Sequence, residues 1–302
     1  MTEGPVGLAG FKELELEDKP GLDPFFGGRD IQASELSFTN LFMWRHLYRP
    51  HWRVEGDCLQ VVLFPAGEEP FGLRPLGRGD LAGAVEDLLG AMSAAGLQPR
   101  LARVSAGFIQ AHLDQERYRL IPQPEHHDYV YRVKDLIELP GRAYHRKKNL
   151  LNRFLRQNRF RYWPMDHQCV EEVLEMQKNW CRLRDCGSDL SLQNEDQAIW
   201  EALTHFDSLD FVGGSIIIED KVEAFTLGEP LSPDTVVIHI EKANPKIPGL
   251  YAAINQMFCA QTWAEMDFVN REQDLGLEGL RTAKQSYHPH HMVEKFVVAP
   301  RG

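Results

Sequence analysis

Between Asp267 and Pro289 the chain gathers side chains that can hold charge and move protons: Asn270, Arg271, Glu272, Asp274, Arg281, Lys284, Tyr287 and His288. Carboxylates, cationic nitrogens and a phenol are the types that exchange a proton and stabilise charge developing on an oxygen. Crowding of this kind is rarely needed for folding alone. The alternation over residues 266–270 predicts a short strand, and Gly276 marks the turn into a helix that begins near Leu277. In that helix Leu277, Leu280, Ala283 and Tyr287 recur at spacings of three and four, while Arg281, Lys284, Gln285 and His288 fall on the other side. One face is expected to pack and the other to hold an anion. A solvated cationic helix preceded by two ordinary acids is the competing reading.

The elements that would position this segment lie upstream. Residues 211–218, 222–227 and 235–241 predict three strands, joined by a tight turn at Glu219-Asp220-Lys221 and a longer loop over 229–234. This is an antiparallel meander. A loop containing Lys246, Gly249 and Tyr251 follows, then an apolar segment over 252–263 with Ile254, Met257 and Phe258 at helical spacing. Beyond the strand and helix already described, residues 292–298 predict a last strand. The order is strand, strand, strand, helix, strand, helix, strand.

That order, with a glycine-bearing loop leading into the first helix, resembles the GNAT acyltransferase fold. The resemblance implies two parallel strands that splay apart, with an acyl donor in the gap. The donor's phosphates would lie at a helix N-terminus, where free backbone N–H groups and the positive end of the macrodipole face outward. The acyl-CoA loop of that fold carries a basic or amide residue, then Gly three places on, then Gly or Ala two places further. Lys246 and Gly249 match; Tyr251 does not, and a phenol there argues against ordinary CoA binding.

Three blocks carry a narrower resemblance. Residues 130–154, opening Val130-Tyr-Arg-Val-Lys134, the run His239-Ile-Glu-Lys-Ala-Asn244, and Asn270-Arg-Glu-Gln-Asp-Leu-Gly276 through Ser286-Tyr-His-Pro289 resemble the soluble half of the phosphatidylglycerol lysyltransferase family. The resemblance covers most of the chain. It implies an α+β protein of two tandem GNAT-like domains, each a mixed, mostly antiparallel sheet flanked by helices, a plan shared with the peptidoglycan-bridge aminoacyltransferases. It also implies aminoacyl-tRNA as the donor in place of a CoA thioester, with no cofactor. The membrane domain of the lipid-modifying members has no counterpart here, which leaves the acceptor unidentified.

Transfer from such a donor requires the reactants to be positioned, a proton to be shuttled, and charge on the carbonyl and the leaving ribose oxygen to be stabilised. Glu241 and Asp274 are the carboxylates placed to hold the donor's α-ammonium or serve as base. Arg281 and Lys284 are the cations for a terminal phosphate or an oxyanion. Tyr287 sits where many GNAT enzymes carry the phenol that protonates the leaving group. His239, Lys246, Gly249, Tyr251, Asn270 and Arg271 complete the expected substrate-binding set. Each has an ordinary alternative: Arg281 bridged to Asp274 structurally, Tyr287 buried beside Phe296.

Charge divides the chain unevenly. Residues 165–302 hold 11 Lys and Arg against 23 Asp and Glu, and the first 164 residues hold 22 against 21. Yet residues 142–161 contain eight basic side chains and no acidic one. On a helix, Leu150, Leu151, Phe154 and Leu155 form an apolar arc, and Arg146, Asn149, Arg153 and Arg156 line the reverse side; Arg146, Lys147, Lys148, Arg153 and Arg156 are the candidate tRNA or phosphate contacts. Three readings compete for this helix: a solvated face, a phosphate-backbone contact for tRNA, and attraction to anionic headgroups in a peripheral membrane contact. The acidic remainder disfavours broad adhesion to nucleic acid and permits a focused one.

Length and composition fit a soluble globular protein of one large core or two modest ones: 302 residues, 43% apolar and 25% charged. No apolar run approaches the roughly 18 residues that span a bilayer, and Met1-Thr-Glu-Gly-Pro5 lacks a basic stretch followed by an apolar one, so a cytoplasmic location is expected. The five cysteines are odd in number and scattered, which suggests neither a disulfide framework nor a metal site; His288, His290 and His291 do not offer converging ligands either. No internal repeat is apparent. A boundary near Pro164 is expected, with domains over 1–164 and 165–302. The reading that results is a cytoplasmic aminoacyltransferase using aminoacyl-tRNA. The alternatives are an acyl-CoA-dependent N-acyltransferase and a non-enzymatic binder of tRNA or phospholipid headgroups.

Overall fold

Alternating apolar residues and short turns build two sheets, one in each of two compact units; the computed structural model describes residues 7–301. The first unit runs to Asp128 and takes up the chain again from Val293. In it come β1 (Lys12–Glu13), α1 (Lys19–Leu22), α2 (Phe38–Met43), α3 (Arg45–Tyr48), β2 (His51–Glu55), β3 (Cys58–Leu63), β4 (Phe71–Gly72), β5 (Leu76–Gly77), α4 (Leu81–Ala94), β6 (Leu101–Ser105), α5 (Ala106–His112) and β7 (Tyr118–Pro122). The second sheet and its helices use β8 (Asp128–Arg132), α6 (Val133–Glu138), α7 (His145–Gln157), β9 (Phe160–Pro164), α8 (Val170–Arg184), α9 (Leu190–Thr204), β10 (Val212–Ile218), β11 (Lys221–Pro230), β12 (Thr235–Ala243), α10 (Leu250–Thr262), β13 (Phe268–Asn270), α11 (Glu278–Gln285) and β14 (His291–Val293). The last strand, β15 (Lys295–Pro300), belongs to the first unit.

The first sheet is ordered β1-β2-β3-β4-β6-β15-β7, with β5 beside β3; the second is β9-β10-β11-β12-β13-β8-β14. The two orders follow one plan. Antiparallel strands lead to a parallel pair connected through a helix, β4–α4–β6 in one and β12–α10–β13 in the other. In each sheet a strand from a distant part of the chain, β15 or β8, lies between the second member of that pair and the edge strand. This is the mixed, mostly antiparallel α+β architecture expected from the sequence, and it is a duplication that the sequence itself does not display. Among the described residues no helix is long and apolar enough to cross a membrane. Met1-Thr-Glu-Gly-Pro5 lies outside the described residues.

Several expectations are corrected. The boundary lies between Asp128 and Tyr129, not near Pro164. The physical reason is pairing and burial. β9 bonds antiparallel to β10, and Leu151 and Phe154 of the basic helix α7 enter the same core as Ile254 and Phe258 of α10. The strand expected over 292–298 is two strands: β14 ends at Val293 in the second sheet and β15 starts at Lys295 in the first. Cys181 and Cys186 form a disulfide, because α8 ends in a left-handed residue, Asp185, and the turn brings the two Cα atoms to 5.0 Å.

In the second unit α10 fixes the site. Leu250, Ala253, Ile254 and Phe258 recur at helical spacing and are fully buried, so one face of the helix is committed to the core. Burial of a side chain such as Phe258 contributes roughly 1.5–3 kcal/mol. Gly249 precedes the first turn at φ 85°, and a Cβ there would stand 2.2 Å from the Leu150 carbonyl oxygen. Only glycine allows α7 and the start of α10 to approach this closely.

Candidate active site

The parallel pairing of β12 with β13 stops at Val237 and Asn270. Beyond it the two chains are joined by side chains. Arg271 donates from Nη2 to Glu241 Oε1 at 2.9 Å, and His239 Nδ1 lies 2.8 Å from Glu272 Oε1. Glu241 Oε2 also accepts from Asn255 Nδ2 of α10 at 2.9 Å. Burial opposes the charge on Arg271, but Glu241 more than offsets it and holds the guanidinium protonated. The other terminal nitrogen of Arg271, Nη1, is buried with no acceptor within the protein. A buried donor without a partner is costly, and an oxygen of a bound molecule would satisfy it.

A cleft of about 210 Å³ is lined by Lys147, Leu150, Pro245, Ile247, Pro248, Gly249, Tyr251, Ala252 and Tyr287, and meets this pair through Tyr287. The Arg271 guanidinium stacks 4.9 Å from the centre of the Tyr287 ring, and the Lys147 ammonium lies 3.8 Å from it. Tyr131 packs edge-on against Tyr287 and donates its hydroxyl to the Lys284 carbonyl at 2.8 Å. Burial and the nearby Arg271 push the Lys147 ammonium down to about 8, with Glu241 partly opposing. Burial raises the Tyr287 phenol, which therefore keeps its proton at neutral pH. The cleft also meets the start of α10, which no side chain caps. The macrodipole, Lys147 and Arg271 together make this region electropositive.

α7 adds to this. Arg146, Lys147 and Lys148 occupy its first turn, at the positive end of the dipole, with no acid beside them. Cations there are disfavoured by about 0.3–1 kcal/mol each. Lys147 turns toward Tyr287, whereas Arg146, Lys148, Arg153 and Arg156 are exposed.

The remaining expected residues divide into two sets. His239 is buried between Glu272 and Glu229, the latter 2.9 Å from Nε2, and does not line the cleft. Burial alone would lower its pKa, but the two glutamates lift it to about 10, so it is an imidazolium. Asn270 is fully buried and its Oδ1 accepts from the Glu272 amide at 2.8 Å. These two support the splayed strands. Asp274 and Arg281 pair with each other at 2.8 Å, and Asp274 also accepts from the Tyr129 hydroxyl at 2.7 Å and from the Gly276 amide at 2.8 Å. Burial would raise Asp274, but these donors outweigh it and lower its pKa.

The expectation of one cleft lined by Glu241, Lys246, Asp274, Arg281 and Tyr287 is therefore corrected. Tyr287 lines it, Glu241 lies behind it through Arg271, and Asp274 and Arg281 form a bridge that pins the loop before α11. Lys246 is exposed, between two residues that line the cleft, and Lys284 donates to the Arg271 carbonyl. Of the packing face assigned to the helix after Gly276, only Tyr287, beyond the helix end, enters the core: Leu277 is 54% exposed and α11 buries none of its own residues. Sequence reasoning passed over Tyr131 and Asn255, and it named Glu272 without giving it a role. Tyr131 and Glu272 lie inside the blocks that carry the family resemblance; Asn255 had no signal beyond being an amide in an apolar helix. Tyr251 lines the cleft wall, its hydroxyl accepting from the Trp180 indole of α8 at 3.0 Å.

The fold is shared with several solved structures. L-PGS from Bacillus licheniformis is 14% identical with a TM-score of 0.67, covering 99% of this chain and 95% of that one; FemX is 9% identical with a TM-score of 0.60, covering 96% and 97%. At such identities the likeness is one of fold. A conserved protein of unknown function from Bacteroides thetaiotaomicron is 32% identical with a TM-score of 0.88, covering 96% of this chain and 99% of that one. The chain belongs to the phosphatidylglycerol lysyltransferase C-terminal family, which it matches over residues 29–299. The family's chemistry is acyl transfer. No curated protein gave a significant match.

Proposed function

We propose that the protein is a cytoplasmic aminoacyltransferase that moves an amino acid from aminoacyl-tRNA to a lipid, peptide or small-molecule acceptor. The observation that carries this reading is the electropositive cleft at the uncapped start of α10, walled by Lys147 and Tyr287 and backed by the Glu241–Arg271 pair. At about 210 Å³ it is smaller than the roughly 300–1,000 Å³ of pockets that bury drug-sized ligands, and it suits one amino-acid-sized group.

An acceptor amine or hydroxyl attacks the ester carbonyl, a new C–N or C–O bond forms, and the bond to the ribose oxygen breaks. Arg271 stabilises the carbonyl oxygen through its spare donor. Tyr287, held protonated by burial, passes its proton to the departing ribose oxygen and regains one from the proton that the attacking amine or hydroxyl gives up. Glu241 receives the α-ammonium on a remaining lone pair; a carboxylate offers about four acceptor sites and two are used. Lys147 and the exposed cations Arg146, Lys148, Arg153 and Arg156 meet the phosphates of the acceptor arm, which gives affinity without sequence readout.

The acyl-CoA reading draws on the same uncapped helix end. Against it, the Tyr251 ring held by Trp180 walls the first turn, where a pyrophosphate would have to approach the backbone. Incubating the protein with tRNA charged with radiolabelled amino acids, and separately with acyl-CoA, distinguishes the readings. Label leaving tRNA with wild type but not with Tyr287→Phe or Lys147→Ala is the expected result; consumption of acyl-CoA alone would sink it.

A further inference from the structure

Glu241 holds a hydrogen bond on each oxygen, and each of its two partners has a polar atom left over. Oε1 accepts from Arg271, and Oε2 accepts from Nδ2 of Asn255, a buried residue of α10. A carboxylate only accepts, so it decides how the Asn255 amide is turned: Nδ2 faces Glu241 and Oδ1 faces away. Asn255 Oδ1 is buried with no hydrogen-bond partner among the described residues, and so is Arg271 Nη1. One is an acceptor and the other a donor. Left unused, such a buried pair is costly, and a bound molecule with the complementary atoms would satisfy both. Asn255 follows Ala252 by three residues and Tyr251 by four, which puts it on the same face of α10, one turn beyond the part that lines the cleft.

An α-aminoacyl group carries a donor and an acceptor on adjacent carbons, its amino nitrogen and its carbonyl oxygen. A plain acyl group has the carbonyl and no donor beside it. On the aminoacyltransferase reading, on which this rests, we propose that Asn255 Oδ1 accepts from the α-ammonium while Arg271 Nη1 holds the carbonyl oxygen. Asn255 is then the residue that selects α-aminoacyl over plain acyl donors. Glu241 lies between the two, orients both, and shares the ammonium with Asn255. An acyl group without the amine leaves Asn255 Oδ1 buried and unpaired, and a site built around a hydrogen bond rejects the analogue that lacks it. Neither contact touches the amino acid's side chain, so the selection applies to every α-amino acid.

The test measures equilibrium binding of RNA minihelices ending in a non-hydrolysable 3′-aminoacylamino-adenosine to the full chain. Leucyl and lysyl forms are each paired with the form that lacks only the α-amino group, 4-methylpentanoyl and 6-aminohexanoyl. For the better-bound pair, removing the α-amino group is expected to weaken binding to wild type at least about tenfold. In Asn255→Leu, which keeps the bulk and removes Oδ1, that loss is expected to shrink at least about fivefold. Asn255→Ala gives the same comparison if leucine disturbs the helix. A purely structural Asn255 would weaken both members of a pair alike and leave the loss unchanged, which would overturn the inference, as would wild type that binds both members equally. Wild type that binds no member of either pair, yet consumes acyl-CoA, would overturn the aminoacyltransferase reading itself.

Discussion

The two sheets share a strand order but differ where each helix leaves the first member of the parallel pair. In the first unit α4 is capped by Asp80, whose Oδ1 accepts from the Gly83 amide at 3.0 Å. A carboxylate already neutralises that helix end. In the second unit the corresponding helix, α10, begins after Gly249 with no side-chain cap, and Lys147 and two tyrosines surround it. Both units also hold buried charge. In the first, Lys295 is fully buried between Asp128 and Glu35, at 2.7 and 2.6 Å, and Glu35 Oε1 has no hydrogen-bond partner among the described residues. In the second, the buried Arg271 has one donor, Nη1, left over and stacks on Tyr287, which lines the cleft. One helix end is capped by a carboxylate and the other has no side-chain cap.

The largest effect is expected from the second unit's phenol. Tyr287→Phe is expected to lower kcat by about 10²–10⁴ while the melting temperature stays near that of wild type, since general acid catalysis typically supplies that range. Next in size is the buried imidazolium. His239→Ala leaves Glu229 and Glu272 facing each other and is expected to cost about 3–5 kcal/mol, read by denaturant unfolding. The pH dependence has a definite sign. Because the folded-state pKa of His239, about 10, lies above the ordinary 6.5, its stabilisation is complete below about 6.5 and is lost as pH rises through about 10. The difference in melting temperature between wild type and His239→Ala should therefore shrink over that window; a constant difference would contradict a buried imidazolium.

A smaller effect is expected in the first unit. Asp80→Ala should lower stability by about 1 kcal/mol, the usual worth of a cap, and leave transfer unchanged. A loss of transfer with intact folding would mean that the first helix end is functional after all. Smallest is Arg281→Ala. The Arg281 side chain is 44% exposed and stands outside the cleft, so transfer should stay within about threefold of wild type.

Much of the fold was legible in the sequence because the second unit obeys simple periodicities. The meander, α10 and the basic helix are found where alternation and helical spacing put them. The domain boundary was not, because the segment that crosses it, Asp128–Arg132, is itself a strand and carries no Gly- or Pro-rich linker. The split of the last strand was hidden for a related reason: Glu294 interrupts an apolar run without any turn signal, and only pairing decides that its two halves join different sheets. Within the site, Tyr287 and Gly249 were readable from their places in a motif. The pairing of Asp274 with Arg281 was foreseen only as the ordinary alternative, because a carboxylate and a guanidinium seven residues apart have the same sequence signature whether they bind each other or a substrate. Lys147 was read as part of a basic face, and its turn toward Tyr287 depends on the close approach of α7 to α10 that Gly249 permits.

The central claim is that the donor binds at the start of α10 in the second unit and not at the matching helix end of the first. Equilibrium binding of a non-hydrolysable 3′-aminoacylamino RNA minihelix, which carries the acceptor-arm phosphates, to wild type, Lys147→Ala and Asp80→Ala tests it most directly. Affinity at least tenfold weaker for Lys147→Ala and unchanged for Asp80→Ala is the predicted result. Equal affinity in wild type and Lys147→Ala, or weakened binding in Asp80→Ala alone, would contradict it.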